Sequence, residues 1–371
     1  MSNQSIDLCH LVDLGKENSW SDLLATFIEV DPLPMIEVLG APRPQGALGV
    51  RREVSAGSAG RIDLLLTDDG VPWAAIEAKV LSSLGPNQLA RYRQAWPEVA
   101  HRRLLGLQRL GMPARPDELD SWESLDWEDV VTRYSRSSNS WVRETAIAWL
   151  AGIDRQIPMV DLLTIWNDIE SAAGLVGGLR ARMAWTLEQL KPAPPAIRDL
   201  TIGSGGKSPV VRMLMDISAP GYVVLIEAQE GLSAQSFASY GDPAKDVHLR
   251  GPIVRICLLQ EGVEDSRSYN WDLLFEMWRR VESAGHGRWT WDKRKASPKA
   301  SHDKAAVESL RLQGLPDFVG IGYGDRQGQL TGQVLFGAKM RVCADVSLGD
   351  FAAGLNELAG YLPGLQTLGA V

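Results

Sequence analysis

The chain has 371 residues, of which 45% are hydrophobic, and this is enough apolar material for two globular domains. Its formal net charge of −8 argues against a dedicated non-specific nucleic-acid binder but allows an enzyme with a local basic patch. The three cysteines, at positions 9, 257 and 343, have the spacing of neither a disulfide framework nor a zinc cluster, so we expect a reducing, cytoplasmic location. The N-terminus lacks a signal-peptide pattern and no apolar run could span a bilayer, so we expect no membrane partner.

The first predicted elements lead up to a central hairpin. Apolar spacing predicts helices over residues 19–30 and 35–39, and a strand over 50–54 that carries Glu53. Residues 55–60, Ser-Ala-Gly-Ser-Ala-Gly, form either a flexible turn that lets a substrate backbone approach closely or an ordinary loop.

The hairpin is predicted from two apolar runs, 62–67 and 74–80, joined by a turn around Gly70. Because side chains alternate along a strand, Glu77 and Lys79 share one face, and Asp63 on the first strand lies roughly opposite Glu77. Directly opposed residues have Cβ atoms about 4.5–5.5 Å apart. The alternative is a Glu–Lys face exposed to water, but the flanking apolar residues favour a strand that is buried on both faces.

Two buried carboxylates beside a lysine suit a divalent cation. Mg²⁺ takes oxygen ligands at about 2.1 Å, and without a cation the mutual repulsion would raise one carboxyl pKa. We therefore predict Asp63 and Glu77 as metal ligands. Lys79 would hold an attacking water or stabilise developing negative charge.

The pattern of Asp63, thirteen further residues and then Glu77-Ala-Lys79 resembles the PD-(D/E)xK nuclease superfamily. Gln88-Leu-Ala-Arg-Tyr92 is similar to the QxxxY element of its RecB-like branch, and the segment around Glu17 is similar to the first helix of that branch. The resemblance covers about residues 1–155, with an isoleucine before the aspartate where the name-giving pattern has proline.

This resemblance implies an α/β, restriction-endonuclease-like fold, with a mixed central sheet flanked by helices. It implies a Mg²⁺-dependent deoxyribonuclease, with Mn²⁺ as a second cation and RNA as a second substrate. Gln88 would orient Lys79 or a phosphate, and Glu17, Glu53 and Tyr92 would support the site. A role in bacterial defence or repair is also implied. The alternative is a non-catalytic regulator that binds nucleic acid or protein on the same fold.

The predicted domains are a nuclease-like domain at 1–157, a helical connector with a proline-rich linker at 158–195, and a second α/β domain at 196–371. Within the first domain we also expect a strand at 102–110 and helices at 127–134 and 140–150.

The second domain has the pattern of a degenerate repeat. Residues 202–217 resemble the first strand of the hairpin, and Glu227-Ala-Gln229 matches Glu77-Ala-Lys79. Asp216 is expected as a diagonal neighbour of Glu227, about 7–8 Å away. Because Gln229 lacks the lysine charge, we predict an inactive copy that serves in binding or as a homo-oligomer contact, with a second active site as the alternative.

Basic residues alternate with tryptophan near residue 290. The candidates for phosphate contact and base stacking are Arg288, Trp289, Trp291, Lys293, Arg294 and Lys295. An ordinary solvated loop is the alternative. Beyond this segment we expect strands at 318–323, 331–336 and 342–346 and a closing helix at 348–362.

Overall fold

A computed structural model describes residues 17–82, 84–85, 87–114, 118–169, 175–190, 197–205, 208–229, 251–261, 268–284, 289–294, 303–323 and 334–365. The chain divides into two compact units, Met1–Met159 and Val160–Val371. The first is built on a mixed five-stranded sheet and the second on an antiparallel sheet, each with helices, which confirms the predicted α/β class. No helix in these ranges is long and apolar enough to cross a membrane.

The first unit alternates helices with the strands of one sheet. Its elements are α1 (Glu17–Val30), α2 (Leu33–Leu39), β1 (Leu48–Ser55), β2 (Arg61–Asp68), β3 (Val71–Ala78), α3 (Gln88–Ala95), β4 (His101–Gly106), β5 (Glu123–Asp126), α4 (Trp127–Tyr134) and α5 (Ser140–Gln156). The strands lie in the order β1-β2-β3-β4-β5. Pairing is antiparallel from β1 to β3 and parallel from β3 to β5, and α3 lies in the crossover that the parallel pair β3–β4 requires.

The helices of this unit pack through aromatic rings. Trp20 of α1 lies edge-on to Trp127 and Trp149, with ring centroids 5.2 and 5.4 Å apart. All three rings are fully buried, so the amphipathic pattern that predicted α1, α4 and α5 also fixes how they pack. The short strand β5 was not predicted, because Glu-Ser-Leu-Asp has no strand pattern of its own.

The predicted β2–β3 hairpin is confirmed, and its turn is tight. Asp69 and Gly70 both have positive φ, 48° and 85°, as a two-residue hairpin turn of the primed type requires. Asp68 pairs with Val71 across this turn, and the strands then continue to the pair Leu64–Ile76. A bulge between Leu66 and Thr67 shifts the register by one residue, so the turn and the bulge together place Leu64 opposite Ile76.

The second unit has helices on an antiparallel sheet. Its elements are α6 (Leu175–Gln189), β6 (Ile197–Gly205), β7 (Ser208–Asp216), β8 (Tyr222–Gln229), β9 (Ile253–Gln260), α7 (Trp271–Val281), β10 (Trp289–Trp291), α8 (Lys304–Leu312), β11 (Ile321–Tyr323), β12 (Val334–Val342) and α9 (Leu348–Gly360). The strand order is β10-β12-β9-β8-β7-β6, with β11 also paired to β12.

Several boundaries predicted for this unit need correction. Residues 160–190 are no connector, because Trp166, Leu179 and Met183 are buried in the core of the second unit. The proline-rich stretch 191–195 lies outside the described residues. Where strands were predicted at 331–336 and 342–346, one strand, β12, runs from Val334 to Val342. The strand β6 was missed because its end, Gly-Ser-Gly, has the composition of a loop.

The two sheets share only part of their pairing pattern. In each, three consecutive strands pair in antiparallel order, β1-β2-β3 and β6-β7-β8. The next pair differs, because β3–β4 is parallel whereas β8–β9 is antiparallel. Duplication of the first unit is therefore not confirmed.

Candidate functional site

The first unit brings two carboxylates together where the predicted hairpin puts them. Glu77, on β3, is only 1% exposed. The register that pairs Leu64 with Ile76 brings Asp63 beside Glu77, and Asp63 Oδ2 accepts a hydrogen bond from the Ala78 backbone N–H at 2.8 Å. Burial, and then the charge of Asp63, raises the pKa of Glu77 to about 7 in spite of the opposing charge of Lys79. Burial also raises the pKa of Asp63, although the Ala78 hydrogen bond and Lys79 act against it.

Lys79 is paired with Glu77. Its Nζ donates to Glu77 Oε1 at 2.5 Å, and its side chain is half-buried. Burial lowers the pKa of Lys79, but Glu77 and the other nearby acids outweigh it, so the net pKa lies above the ordinary value. Its backbone is held as well, since its N–H donates to Leu105 O at 2.8 Å and its carbonyl accepts from Trp127 Nε1 at 3.0 Å. The lysine therefore stays charged beside the acid pair.

Gln88 and Tyr92 form a hydrogen-bonded chain that ends on Glu77. Gln88 Nε2 donates to Glu77 Oε1 at 2.6 Å and to the Tyr92 hydroxyl at 2.9 Å. The Tyr92 hydroxyl donates in turn to Arg61 O at 2.6 Å, and Gln88 Oε1 accepts from Gly85 N–H at 2.8 Å. Gln88 thus contacts Glu77, where the prediction had it orienting Lys79 or a phosphate. Its role is to fix one oxygen of the central carboxylate.

Glu17, predicted as a supporting acid, holds the turn that follows β3. Its Oε1 accepts hydrogen bonds from the consecutive backbone N–H groups of Val80, Leu81 and Ser82, at 2.7, 2.9 and 2.8 Å. Its Oε2 accepts from the Ser82 hydroxyl at 2.5 Å. Burial raises the pKa of Glu17, but these hydrogen bonds outweigh burial and leave the pKa below its usual value. The sequence did not indicate Ser82 as a partner, because the contact depends on how the turn folds.

Glu53 is a neighbour of Asp63 across the sheet. Arg52 and Val54, which flank it, pair with the two residues that flank Asp63. Its carboxylate forms an ion pair with Arg61, and its charge raises the pKa of Asp63. Glu53 also has a φ of 52°, a left-handed conformation that is uncommon for a non-glycine residue and costs of order 1–3 kcal/mol.

The carboxylate oxygens of Asp63 and Glu77 fit a hard divalent cation such as Mg²⁺ in one respect. Glu77 Oε2 is buried and has no hydrogen-bond partner within the described part of the chain. Leaving a buried acceptor unpaired costs about 1–3 kcal/mol, and a cation shared with Asp63 would remove that cost. No group of three or more acidic, histidine or cysteine side chains that could hold a metal ion by itself occurs in the described ranges. The remaining positions around such a cation would therefore be taken by water or substrate oxygens.

The second unit has a buried glutamate without an acidic partner. Glu227 on β8 is 6% exposed and lies opposite Arg212 of β7, where the first unit has an aspartate. Its carboxylate contacts Arg212 Nε at 3.1 Å and Arg255 at 2.9 Å, and accepts from Gln229 Nε2 at 2.7 Å. Among the described neighbours, cations and an amide thus surround this carboxylate.

The prediction that Asp216 is a diagonal neighbour of Glu227 is wrong. Asp216 pairs with Val223, four residues from Glu227, which corresponds to about 13 Å along the strand. Asp216 forms an ion pair with Arg198 at 2.7 Å. The prediction assumed a tight turn at residues 220–221, but six residues separate the first pair across the turn, and the register shifts by two.

The tryptophans of the basic segment serve the core. Trp289 is buried against Phe351, with ring centroids 5.6 Å apart. Trp291 packs against Trp278, 4.8 Å away between centroids, and donates its Nε1 hydrogen to Glu282 O. Because the Trp289 ring is buried, the prediction that it stacks on a nucleic-acid base is wrong.

Of the four basic residues in this segment that were predicted to contact nucleic acid, the structure describes two. Lys293 and Arg294 are exposed, and Arg294 forms an ion pair with Asp292 at 2.7 Å. The predicted contacts Arg288 and Lys295 lie outside the described residues.

Comparison with known proteins gives no relative from which the function of the site could be inferred. No protein-family model, no curated protein and no solved structure matches the chain.

Proposed function

We propose that the first unit is a metal-dependent nuclease, in which Asp63 and Glu77 hold Mg²⁺ or Mn²⁺ and phosphodiester bonds are hydrolysed. One observation carries this proposal: a buried glutamate, Glu77, lies beside the half-buried Asp63 and a charged lysine, and one oxygen of Glu77 lacks a donor among the described residues. DNA is the proposed substrate, and RNA is the second. A role in bacterial defence or repair rests only on the resemblance to the PD-(D/E)xK nucleases.

A restriction-endonuclease-like core is part of this proposal. Supporting it, the two acids lie on adjacent antiparallel strands, and the helix carrying Gln88 leads from β3 to a parallel strand. The further idea that the second unit is a degenerate copy has support from its antiparallel trio with Glu227 and is opposed by the antiparallel direction of β9.

The proposed chemistry divides between the cation and the chain. The cation would act as a Lewis acid and lower the pKa of a bound water. Lys79, held charged beside Glu77, would position the attacking water or balance the negative charge that develops on the phosphorus oxygens. Gln88 and Tyr92 keep the Glu77 carboxylate in one orientation, and Glu17 fixes the turn that follows Lys79.

The decisive test is the Lys79→Ala variant. Wild-type protein, the variant and a Lys304→Ala control are each incubated with plasmid, single-stranded DNA and RNA, in Mg²⁺, Mn²⁺ or EDTA. Lys304 is an exposed lysine at the start of α8, so the control removes the same charge outside the site. We expect wild type and control to cleave in either metal and not in EDTA, and Lys79→Ala to lose about 100-fold or more.

Two results would contradict the nuclease. One is equal cleavage by Lys79→Ala and wild type, and the other is no cleavage by wild type under any condition. The second result favours the non-catalytic alternative, a nucleic-acid- or protein-binding regulator. That alternative has its own observation in the second unit, where Glu227 is already surrounded by Arg212, Arg255 and Gln229.

A further inference from the structure

A row of charged side chains crosses the second sheet. Arg212, Glu227, Arg255 and Lys339 pair one after another across β7, β8, β9 and β12. Residues paired in this way point to the same face of a sheet. The Asp292 N–H donates to Lys339 O at 2.8 Å, which extends the row past the end of β10.

Cations outnumber acids around this row. Arg341 lies two residues beyond Lys339 on β12 and so shares its face, and Arg294 contacts Asp292. The described cations are Arg212, Arg255, Arg294, Lys339 and Arg341, and the described acids are Glu227, Asp292 and, one row from Arg212 on β6, Asp199. The row thus has an excess of two positive charges in a chain whose net charge is −8.

Both acids of the row are already engaged. Glu227 contacts two arginines, and Asp292 contacts Arg294 at 2.7 Å and Arg341 at 3.2 Å. Hydrogen bonding from Arg294 is the main cause that lowers the pKa of Asp292 to about 2. Burial and the nearby arginines lower the pKa of Lys339 despite the opposing effect of Asp292. Because both acids already contact arginines, the remaining cations of the row give this end of the face a positive potential, which attracts anions.

The row is separated from the ion pair of Arg198 with Asp216, which lies towards the other end of the face. The next row in that direction consists of Asp199, Leu214, Leu225 and Cys257, and the last three belong to a small apolar cluster. From Arg212 to Lys339 the row crosses three strand spacings, about 14 Å. This length spans several phosphates of one nucleic-acid strand, which follow each other every ~3.4 Å along a duplex.

The row remains accessible to a ligand. The Arg212 side chain is 38% exposed and that of Arg341 is 36% exposed. We propose that this row of the second sheet binds the phosphate groups of a nucleic-acid backbone. The inference rests on the proposed function for the identity of the substrate, while its residues are separate from the acid pair on β2 and β3.

Binding is measured by fluorescence anisotropy in EDTA, where the proposed cleavage cannot occur. The probes are a labelled single-stranded DNA oligonucleotide and the corresponding duplex, over a series of salt concentrations. The test variant is Lys339→Gln/Arg341→Gln. The matched control, Arg279→Gln/Lys304→Gln, removes two exposed cations from α7 and α8 of the same unit. Thermal melts check that both variants fold.

We expect the test variant to bind either probe more weakly than wild type. The slope of log K against log salt should become shallower by about 1 for each lost contact, while the control keeps the wild-type slope. A charge-retaining Lys339→Arg/Arg341→Lys variant should keep most of the slope. If the test variant does not fold, the single change Arg341→Gln at a partly exposed position replaces it and should make the slope shallower by about 1. Identical slopes for wild type, test variant and control would overturn the proposal.

A competition arm identifies the source of the phosphate. Displacement of the oligonucleotide by polymeric competitor DNA, with inorganic phosphate and pyrophosphate much weaker, supports a backbone site. The proposal is overturned in favour of a small phosphate ligand if the test variant loses pyrophosphate binding but keeps the wild-type salt slope for the oligonucleotide. A row-dependent salt slope in EDTA together with no cleavage by wild type in Mg²⁺ or Mn²⁺ overturns the nuclease alone, whereas metal-dependent cleavage together with a row-independent slope overturns the row alone.

Discussion

Glu77 and Glu227 are two buried glutamates at comparable places on two sheets, and a single opposing residue sets them apart. Each lies on the third strand of an antiparallel trio and has a polar side chain two residues later, Lys79 or Gln229. Asp63 lies beside Glu77, whereas Arg212 lies opposite Glu227. The first arrangement concentrates negative charge, and the second neutralises it within the protein.

The electrostatics follow from that difference. Burial and Asp63 raise the pKa of Glu77 to about 7, and one of its oxygens has no donor in the described part of the chain. Glu227 is held by two arginines and an amide. A buried acid beside another acid requires a proton or a cation, whereas a buried acid between arginines requires neither. The comparison therefore supports the proposals that the chemistry belongs to the first unit and that the second unit has a binding role.

Glu77→Gln should give the largest effect. The amide keeps the shape of the side chain but loses the charge that would hold a divalent cation. We expect Mg²⁺-dependent cleavage of plasmid DNA to fall about 10³-fold, equivalent to about 4 kcal/mol of barrier. Glu29→Gln, a change at an exposed position of α1, serves as the control and should cleave like wild type. Retention of full activity by Glu77→Gln would remove the acid pair from the mechanism.

The pH dependence of stability should distinguish the acid pair from the rest of the protein. The pKa of Glu77 rises from 4.5 to about 7 on folding, so its favourable contribution is complete below pH 4.5 and is lost as the pH rises through about 7. In EDTA this loss amounts to about 3 kcal/mol of unfolding free energy. The pKa of Asp63 is raised too, and acts in the same direction.

Urea unfolding of wild type and Glu77→Gln at about pH 5 and about pH 8 measures this contribution. We expect the difference in unfolding free energy between the two proteins to change by about 3 kcal/mol between these pH values. Wild type should be the relatively less stable protein at the higher pH. A constant difference across this range would mean that Glu77 titrates normally.

Removing the charge of the second glutamate should have a smaller and opposite effect. Glu227→Gln leaves Arg212 and Arg255 beside a neutral amide, so the unfolding free energy should fall. Because both arginines are partly exposed, we expect about 2 kcal/mol, below the range for a fully buried pair. At about pH 8 in EDTA, Glu77→Gln should be as stable as wild type or more stable. If Glu77→Gln and Glu227→Gln destabilise the protein equally, the proposed difference between the two glutamate sites is wrong.

Tyr92→Phe should give the smallest effect. It removes the hydroxyl that accepts from Gln88 and donates to Arg61 O, but it keeps the ring in the core. We expect cleavage to fall about tenfold or less, because the loosened Gln88 still contacts Glu77; one hydrogen bond is worth about 1 kcal/mol. Comparison of kcat with KM separates a positioning role, which lowers kcat, from weaker substrate binding. An unchanged kcat would restrict Tyr92 to packing.

The first hairpin could be predicted because its turn is local. Asp69-Gly70 sets the turn, and a one-residue bulge between Leu66 and Thr67, which the sequence did not indicate, completes the register that brings Asp63 beside Glu77. The second hairpin could not, because a wide turn leaves the register open, and the position of Asp216 was therefore wrong. The charged row was missed for another reason: its members are far apart in sequence, and only the pairing of β9 with β12 brings Arg255 beside Lys339.

Glu17 carries a consequence for how the first unit handles anions. Three consecutive backbone N–H groups converging on one oxygen form the kind of concavity that proteins use to bind phosphate. Here the chain supplies its own carboxylate, so a substrate phosphate cannot use these donors unless Glu17 leaves. In the proposed nuclease, Glu17 would therefore compete with phosphate for this turn, and a substrate phosphate would be left to the cation and Lys79.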